Sequence, residues 1–133
     1  MDAESSMPYA PPATVLSVVQ RHRQVAIPSF DVSTLQRIGV SESLAPRTLQ
    51  AMKLLGLVDE DGKETKSFEH LRKAPTAEFE SVLGQILREA YSPVFAIVDP
   101  TSATSEEIGD AFRHFVPSGQ RTRMVTLFTG LLR

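Results

Sequence analysis

The sequence predicts a mainly α-helical protein whose first half is a winged helix-turn-helix, with a minimal β-hairpin as its wing. Three observations support this prediction. A short helix candidate ends at Gly39, residues 43–56 carry apolar side chains at helical spacing, and a tight Asp61-Gly62 turn follows at once. The order helix, turn, helix and hairpin belongs to a fold that binds DNA in some proteins and other polypeptides in others.

The composition is that of an ordinary globular protein. The 133 residues suit one compact domain or two very small ones that share a core. Because the chain has no cysteine, disulfides and thiolate metal sites are excluded. No apolar run approaches the roughly 18 residues of a membrane-spanning helix, and the acidic N-terminus does not resemble a signal peptide. We therefore expect a cytoplasmic protein without membrane contact.

The chain divides into three parts. Residues 1–12 contain three prolines and no periodicity, which predicts a flexible N-terminal arm. Residues 13–75 form the predicted winged helix-turn-helix. Residues 76–133 form a helical half that packs on the first and is either a plain helical extension or a second, tandem winged-helix-like unit.

The first half is predicted to contain three helices and a wing. Residues 13–24 form the first helix, because their apolar side chains and His22 fall at helical spacing. Ser33 caps a short second helix that ends at Ile38. The third helix, 43–56, is capped by Ser41 or Ser43 and closed by Gly56. Its apolar face consists of Ala45, Leu49, Met52 and Leu55. Residues 57–66 then pair as the hairpin wing.

The second half is predicted to be helical as well. Residues 77–91 show a clean three- and four-residue apolar repeat. A further helix starts at Ser105, and Ser118 caps the last one. The apolar stripe of the last helix, from Met124 to Leu132, is wide. It either fills the core between the halves or forms a homodimer with a second copy.

A weak internal repeat appears when the first half is shifted by 74 residues. Arg47-Thr48 then aligns with Arg121-Thr122, and Gly56-Leu57 aligns with Gly130-Leu131. Two helix-turn-helix units in tandem would explain these identities. The general likeness of amphipathic helices is the simpler explanation, because the identities are few.

Several short segments together resemble a known family. They are Tyr9-Ala10-Pro11-Pro12, Ile38-Gly39-Val40, Leu54-Leu55-Gly56-Leu57-Val58-Asp59 with Asp61-Gly62, and Ile86-Leu87-Arg88-Glu89-Ala90-Tyr91. On these segments the chain is similar to small bacterial proteins of the domain of unknown function family 5343, over roughly residues 8 to 130. The resemblance implies a compact, helical, winged-helix-like protein. It implies no catalytic or binding residue.

The third helix carries a candidate DNA-binding set. Arginine pairs with guanine and glutamine with adenine, while hydroxyl groups and lysines contact phosphates. The set comprises Ser41, Ser43, Arg47, Thr48, Gln50 and Lys53, with Lys63 and Lys66 on the wing. A second candidate patch, Gln120, Arg121 and Arg123, opens the last helix, where cations oppose the helix dipole and so suggest a phosphate or an acidic partner. The plain alternative for both patches is a solvated helix face.

The charge distribution leaves the partner open. The formal net charge is −2, whereas DNA-binding modules are usually basic. Residues 8–56 hold five arginines and lysines against two acids, a balance of +3, which favours double-stranded DNA. Residues 57–91 balance at −3, and the acidic run Asp59-Glu60-Asp61 beside the wing would repel phosphate. The alternative is a protein-interaction module or accessory subunit without nucleic-acid binding.

The sequence contains no recognisable catalytic or cofactor motif. The three histidines are widely separated, no nucleophile elbow is present, and no glycine-rich phosphate loop occurs. Asp59, Asp61 and Gly62 lack the ligand spacing of a calcium loop. We therefore expect a non-enzymatic protein without metal or cofactor, and favour a small DNA-binding, transcription-regulatory protein.

Overall fold

The computed structural model describes residues 7–115 and 117–132 and is mainly α-helical. This confirms the predicted fold class at that level. Within the described ranges the helices are α1 Pro12–Gln24, α2 Val32–Arg37, α3 Ala45–Leu54, α4 Lys66–Lys73, α5 Phe79–Ala90, α6 Ser92–Phe95, α7 Ser105–Ala111 and α8 Arg121–Leu131. Short 3₁₀ turns at Thr76–Glu78 and Ser118–Gln120 precede α5 and α8.

Helix α2 begins earlier than predicted and α3 is shorter than predicted, and in both helices the predicted cap differs from the observed one. Asp31, not Ser33, caps α2, and its Oδ1 accepts a hydrogen bond from the Thr34 backbone N–H at 2.7 Å. No side chain caps α3. Instead, the Ser41 carbonyl accepts backbone hydrogen bonds from Leu44 and Ala45, so a backbone turn leads into the helix. The prediction of Ser41 or Ser43 as a side-chain cap was therefore wrong.

The predicted β-hairpin across 57–66 does not form strands. In this segment a single antiparallel bridge joins Val58 and Glu64. The Asp59 carboxylate closes the turn by accepting from the backbone N–H groups of Asp61 and Lys63, at 2.9 Å each. The second arm cannot extend, since Thr65 caps α4 by accepting from the Phe68 N–H at 3.3 Å. The segment is a turn, and Lys66, placed on the wing by the sequence pattern, is the first residue of α4.

Residues 7–12 of the predicted flexible arm pack against the rest of the chain. Met7 and Ala10 are buried, and α1 already begins at Pro12. Residues 1–6 of that arm lie outside the described residues. At the end of this segment, the Pro12 ring lies against Gly130 of α8, where α8 packs on α1.

The apolar face of α8 is buried within the chain itself. Met124, Leu127, Phe128 and Leu131 belong to the hydrophobic core. Phe128 packs on Tyr91 with ring centroids 4.7 Å apart, and on Phe112 at 5.4 Å. Of the two roles predicted for this stripe, the structure shows the core-filling one, so this face is not available for a second copy.

The two glycines aligned by the internal repeat play different roles. Gly56 ends α3 with a φ of +78°, a left-handed conformation that favours glycine. Gly130 lies inside α8, where the absence of a side chain permits contact with Pro12. The prediction of a tandem unit therefore gains no support from this pair.

A buried histidine connects α1, the 57–66 turn and α4. His22 Nε2 lies 2.6 Å from Glu64 Oε2, and the Ile27 backbone N–H donates to His22 Nδ1 at 2.9 Å. Because Nδ1 accepts, the proton is on Nε2 and is donated to the carboxylate. Arg72 completes the network by donating to both Glu64 oxygens, at 2.8 and 3.2 Å. The His22 ring packs on Phe30 and Phe68, with centroids 5.1 and 4.6 Å away.

The contribution of this network to stability decreases as the pH is lowered. Burial lowers the pKa of His22 below its usual 6.5, and the hydrogen bond to Glu64 opposes the shift only in part. The hydrogen bond from Arg72 lowers the pKa of Glu64 below 4.5. The unfolded chain thus binds protons at a higher pH than the folded chain at both groups, and acidification favours unfolding.

We expect the thermal midpoint to fall as the pH is lowered from about 7.5 to about 5.5, because unfolded His22 becomes protonated first. The contribution of His22 to stability is complete above pH 6.5, the usual pKa that applies in the unfolded chain. It is lost as the pH falls toward the lower pKa of the folded chain. His22→Gln, which cannot titrate, should flatten this dependence, whereas His70→Gln at an exposed histidine should not. Thermal melts monitored by circular dichroism at several pH values give the midpoints of both variants. If the midpoint of His22→Gln still falls with pH as in the unmodified protein, the prediction is wrong.

We also expect opposite effects from alanine at two helical glycines. A methyl group at Gly130 would lie 2.6 Å from Pro12 Cγ, in a rigid ring, so Gly130→Ala should lower the free energy of unfolding by about 1–3 kcal/mol. Gly109 in α7 faces open space, so Gly109→Ala should raise it by up to about 1 kcal/mol. Chemical denaturation measures the free energy of unfolding of both variants. Equal changes in the two variants would show that the α1–α8 contact is not close.

Candidate nucleic-acid interface

One face of α3 is buried and the other is available to a partner. Its buried side chains include Ala45, Ala51 and Met52, and the helix packs on α1 and α2. Gln50 is exposed on the other side, while Arg47 and Lys53 are half-buried. These three residues recur at three-residue spacing, which places them along one side of the helix. The polar face predicted from the sequence therefore exists.

Thr48 does not belong to that face. Its side chain is fully buried, with 0% exposure, and its Oγ1 has no hydrogen-bond partner among the described residues. The prediction of Thr48 as a DNA contact was wrong because the buried face of α3 is centred nearer to Thr48 than to Leu49, which is only half-buried. Ala45, Met52 and Leu55 of the predicted apolar face are buried, so the face is displaced by less than the roughly 100° that separates adjacent residues of a helix.

The two serines before α3 are exposed and lie side by side. Ser41 Oγ and Ser43 Oγ are 3.4 Å apart. Because neither caps the helix, both hydroxyl groups remain able to contact a partner. Ser41 also lines a surface cavity of about 310 Å³ between α1 and the α2–α3 turn.

Lys63 and Lys66 are both exposed but lie on different elements. Lys63 is in the turn after the bridge residue Val58, and Lys66 begins α4. Asp59 of the acidic run is engaged by backbone N–H groups of the turn, whereas Glu60 and Asp61 are also exposed at its tip. The turn is thus of mixed charge.

The second candidate patch separates into one structural and one accessible arginine. Arg121 Nε donates to the Phe115 carbonyl at 2.6 Å and is half-buried, so it ties the start of α8 to the segment before it. Arg123 is exposed and donates to Gln120 Oε1 at 2.7 Å. Internal hydrogen bonding, rather than a phosphate, explains why Arg121 is tolerated near a helix N-terminus.

Tyr9 brings the two predicted patches together. The Arg47 guanidinium carbon lies 5.5 Å from the centroid of the Tyr9 ring, within the range of a cation–π contact. The same tyrosine lines a cavity of about 170 Å³ with Arg123 and Thr126 of α8. Residues 47 and 123 therefore flank one aromatic side chain.

Sequence reasoning missed Tyr9 as a site residue, because it lies in the segment predicted to be a flexible arm. The available signal was an aromatic residue between apolar and proline residues, Met7-Pro8 on one side and Ala10-Pro11-Pro12 on the other. A proline-rich segment orders at little entropic cost, and an aromatic residue within it often marks a packed position.

Two other site classes find no support in the part of the chain that the structure describes. No group of three histidine, aspartate or glutamate residues is arranged there to hold a metal ion. None of the helices in residues 7–115 and 117–132 has the length and apolarity to cross a membrane.

Comparison with known proteins gives one match. A family model described as a family of unknown function (DUF5343) matches residues 8–133. This confirms the resemblance found in the short sequence segments. No curated protein and no solved structure matches the chain.

We expect the two α8 arginines to differ in their effect on stability. Arg121→Ala removes the hydrogen bond to the Phe115 carbonyl and should lower the free energy of unfolding by about 1 kcal/mol. Arg123→Ala changes an exposed side chain and should stay within about 0.5 kcal/mol of the unmodified protein. Urea denaturation compares them, and equal losses would show that Arg121 has no special structural role.

Proposed function

The chain belongs to DUF5343, a family of unknown function, and from its surface we propose that it is a small non-enzymatic protein that binds double-stranded DNA. In this proposal α2 and α3 are the helix-turn-helix pair, α3 enters the major groove, and the 57–66 turn acts as a reduced wing. The proposal includes a role in transcription regulation in the cytoplasm.

The proposal rests mainly on one observation: α3 presents Arg47, Gln50 and Lys53 on the side opposite its buried face. An α-helix with its side chains is about 10–12 Å in diameter, which fits the roughly 12 Å width of the major groove, and the ten residues of α3 form nearly three turns. Its N-terminal turn, where recognition helices usually meet base edges, contains Arg47.

Each polar residue has a chemical role in this arrangement. Arg47 would donate two hydrogen bonds to a guanine, and Gln50 would pair with an adenine. Lys53 and the two exposed serine hydroxyl groups would contact phosphates near the two ends of α3. Lys63 and Lys66, which follow the helix, would add backbone contacts on the same flank as Lys53.

A protein-interaction module is the alternative function. The exposed acids Glu60 and Asp61 favour it, since they would repel the phosphates that Lys63 attracts. The net charge of −2 points the same way. In that case the α3 face would bind an acidic segment of another polypeptide or of a second copy, although not through the buried face of α8.

The test is fluorescence anisotropy of a labelled random-sequence duplex, titrated with protein at about 50 and about 200 mM salt. We expect binding at the lower salt that weakens steeply at the higher one. Arg47→Ala should reduce affinity by about tenfold or more, as expected for loss of a bidentate arginine contact. Arg88→Ala removes the same charge from α5 and should have a much smaller effect.

A second control separates the two faces of α3. Thr48→Val keeps the volume of a fully buried side chain, so affinity should not change, whereas Gln50→Ala on the exposed face should reduce it. No binding at the lower salt would reject the DNA proposal in favour of a protein partner. Equal losses in Arg47→Ala and Arg88→Ala would show that binding depends on overall charge and not on α3.

A further inference from the structure

We propose that Tyr9, Arg123 and Thr126 form a second DNA contact that binds a backbone phosphate beside α3. This inference rests on the proposed function and extends it to two elements outside the helix-turn-helix, the segment 7–12 and α8. It follows from a juxtaposition that the sequence did not indicate. Tyr9 contacts Arg47 of the first patch and shares a cavity with Arg123 of the second.

The size of the cavity indicates which part of a ligand it can accept. Its volume of about 170 Å³ is below the roughly 300–1,000 Å³ of sites that enclose a whole small molecule. The cavity is therefore suited to a single group that protrudes from a larger partner. A phosphate on the DNA backbone is such a group.

Arg123 supplies the donors suited to an anion, while Ala10, Pro11 and Pro12 make the rest of the wall apolar. The Arg123 guanidinium has five N–H donors, of which the hydrogen bond to Gln120 engages one. The Tyr9 hydroxyl group is a further donor of a type common in phosphate contacts. Thr126 Oγ1 already donates to the Thr122 carbonyl at 3.0 Å, so it contributes shape to the cavity and not a free proton.

Tyr9 also has a role toward Arg47. A guanidinium that packs on an aromatic ring loses part of its freedom before a ligand arrives, so less entropy is lost when it binds a base. Tyr9 is half-buried and lies between the buried residues Met7 and Ala10, which restrict its position. Tyr9 is thus a positioning residue for Arg47 as well as part of the phosphate contact.

The two sides of the cavity are fixed to each other. The segment 7–12 continues into α1, and α8 packs on α1 where Gly130 meets Pro12. Arg121 ties the start of α8 to Phe115. Because both walls are held by backbone packing, the cavity is present before a ligand binds, as effective binding sites require.

The position of the cavity fits a duplex bound through α3. Arg47 is in the first turn of α3, so the cavity lies near the N-terminal end of this helix, whereas Lys53 and Lys63 lie at or after its C-terminal end. A helix in the major groove has a phosphate backbone on each side of it. Cations at both ends can then contact both strands.

The experiment is the duplex anisotropy titration at a series of salt concentrations, from which the slope of log affinity against log salt is obtained. Arg123→Ala should weaken binding about three- to tenfold at low salt and reduce the slope by about one, as for the loss of one phosphate contact. Arg123→Lys, which keeps the charge, should retain the slope. Arg88→Ala is the charge-matched control, because Arg88 lies on α5 and lines a different cavity, with Thr129 and Leu132.

A double-mutant cycle tests the positioning role. Tyr9→Phe keeps the ring, so Arg47→Ala should reduce DNA affinity as much in this variant as in the unmodified protein. Tyr9→Leu removes the ring, so Arg47→Ala should reduce DNA affinity by a smaller factor in this variant. Circular dichroism melts confirm that each variant is folded, and if Tyr9→Leu is not, Tyr9→Met removes the ring with a side chain that fills more of its volume and gives the same expectation.

The outcomes separate this inference from the proposed function. If Arg47→Ala weakens DNA binding while Arg123→Ala behaves like Arg88→Ala, the second contact is wrong and α3 binding stands. Independent effects of Tyr9 and Arg47 would exclude the positioning role. Absence of DNA binding by the unmodified protein would overturn both proposals.

Discussion

The hydrogen bond from His22 to Glu64 is the constraint on which the arrangement of the first half depends. It connects a fully buried imidazole on α1 to a carboxylate in the turn that follows α3. Burying the imidazole and half-burying the carboxylate is tolerable because each has a further partner: the Ile27 N–H for the histidine and Arg72 for the glutamate. The turn after α3 therefore has a fixed position relative to α1, and α4 is tied to the same point through Arg72.

This constraint also positions the candidate interface. Leu57 at the start of the turn donates its backbone N–H to the Met52 carbonyl of α3, so α3 and the turn move as one unit. With that unit held against α1, the polar side of α3 faces outward next to the segment 7–12. The second close approach, of α8 to α1 at Gly130 and Pro12, fixes the other side of the same surface. The proposed DNA-binding surface thus depends on two packing contacts: the His22–Glu64 hydrogen bond behind α3, and the Gly130–Pro12 contact beside the cavity of Tyr9 and Arg123.

The candidate site was predictable in part. The exposed residues of α3 and Arg123 could be proposed from helical spacing alone, because periodicity tells which residues share a face. Thr48 could not be excluded in this way, since a short threonine fits both a buried and an exposed position and the exact centre of the buried face depends on what packs there. Tyr9 was missed for a related reason: its segment has no periodicity and is ordered only by contact with distant helices.

The sequence by itself determined the helical fold class, most of the helices and the family, because these depend on local periodicity, turn residues and recurring short motifs. It also indicated that His22 lies on the apolar side of α1. Only the tertiary structure decided that Thr65 and the following residues start α4 rather than a strand, that α8 covers the core instead of a second copy, and that Arg47 and Arg123 flank one tyrosine. These features depend on contacts between residues far apart in the chain, such as His22 with Glu64 and Pro12 with Gly130. Local sequence patterns contain no information about such pairs until the packing of the whole chain brings them together.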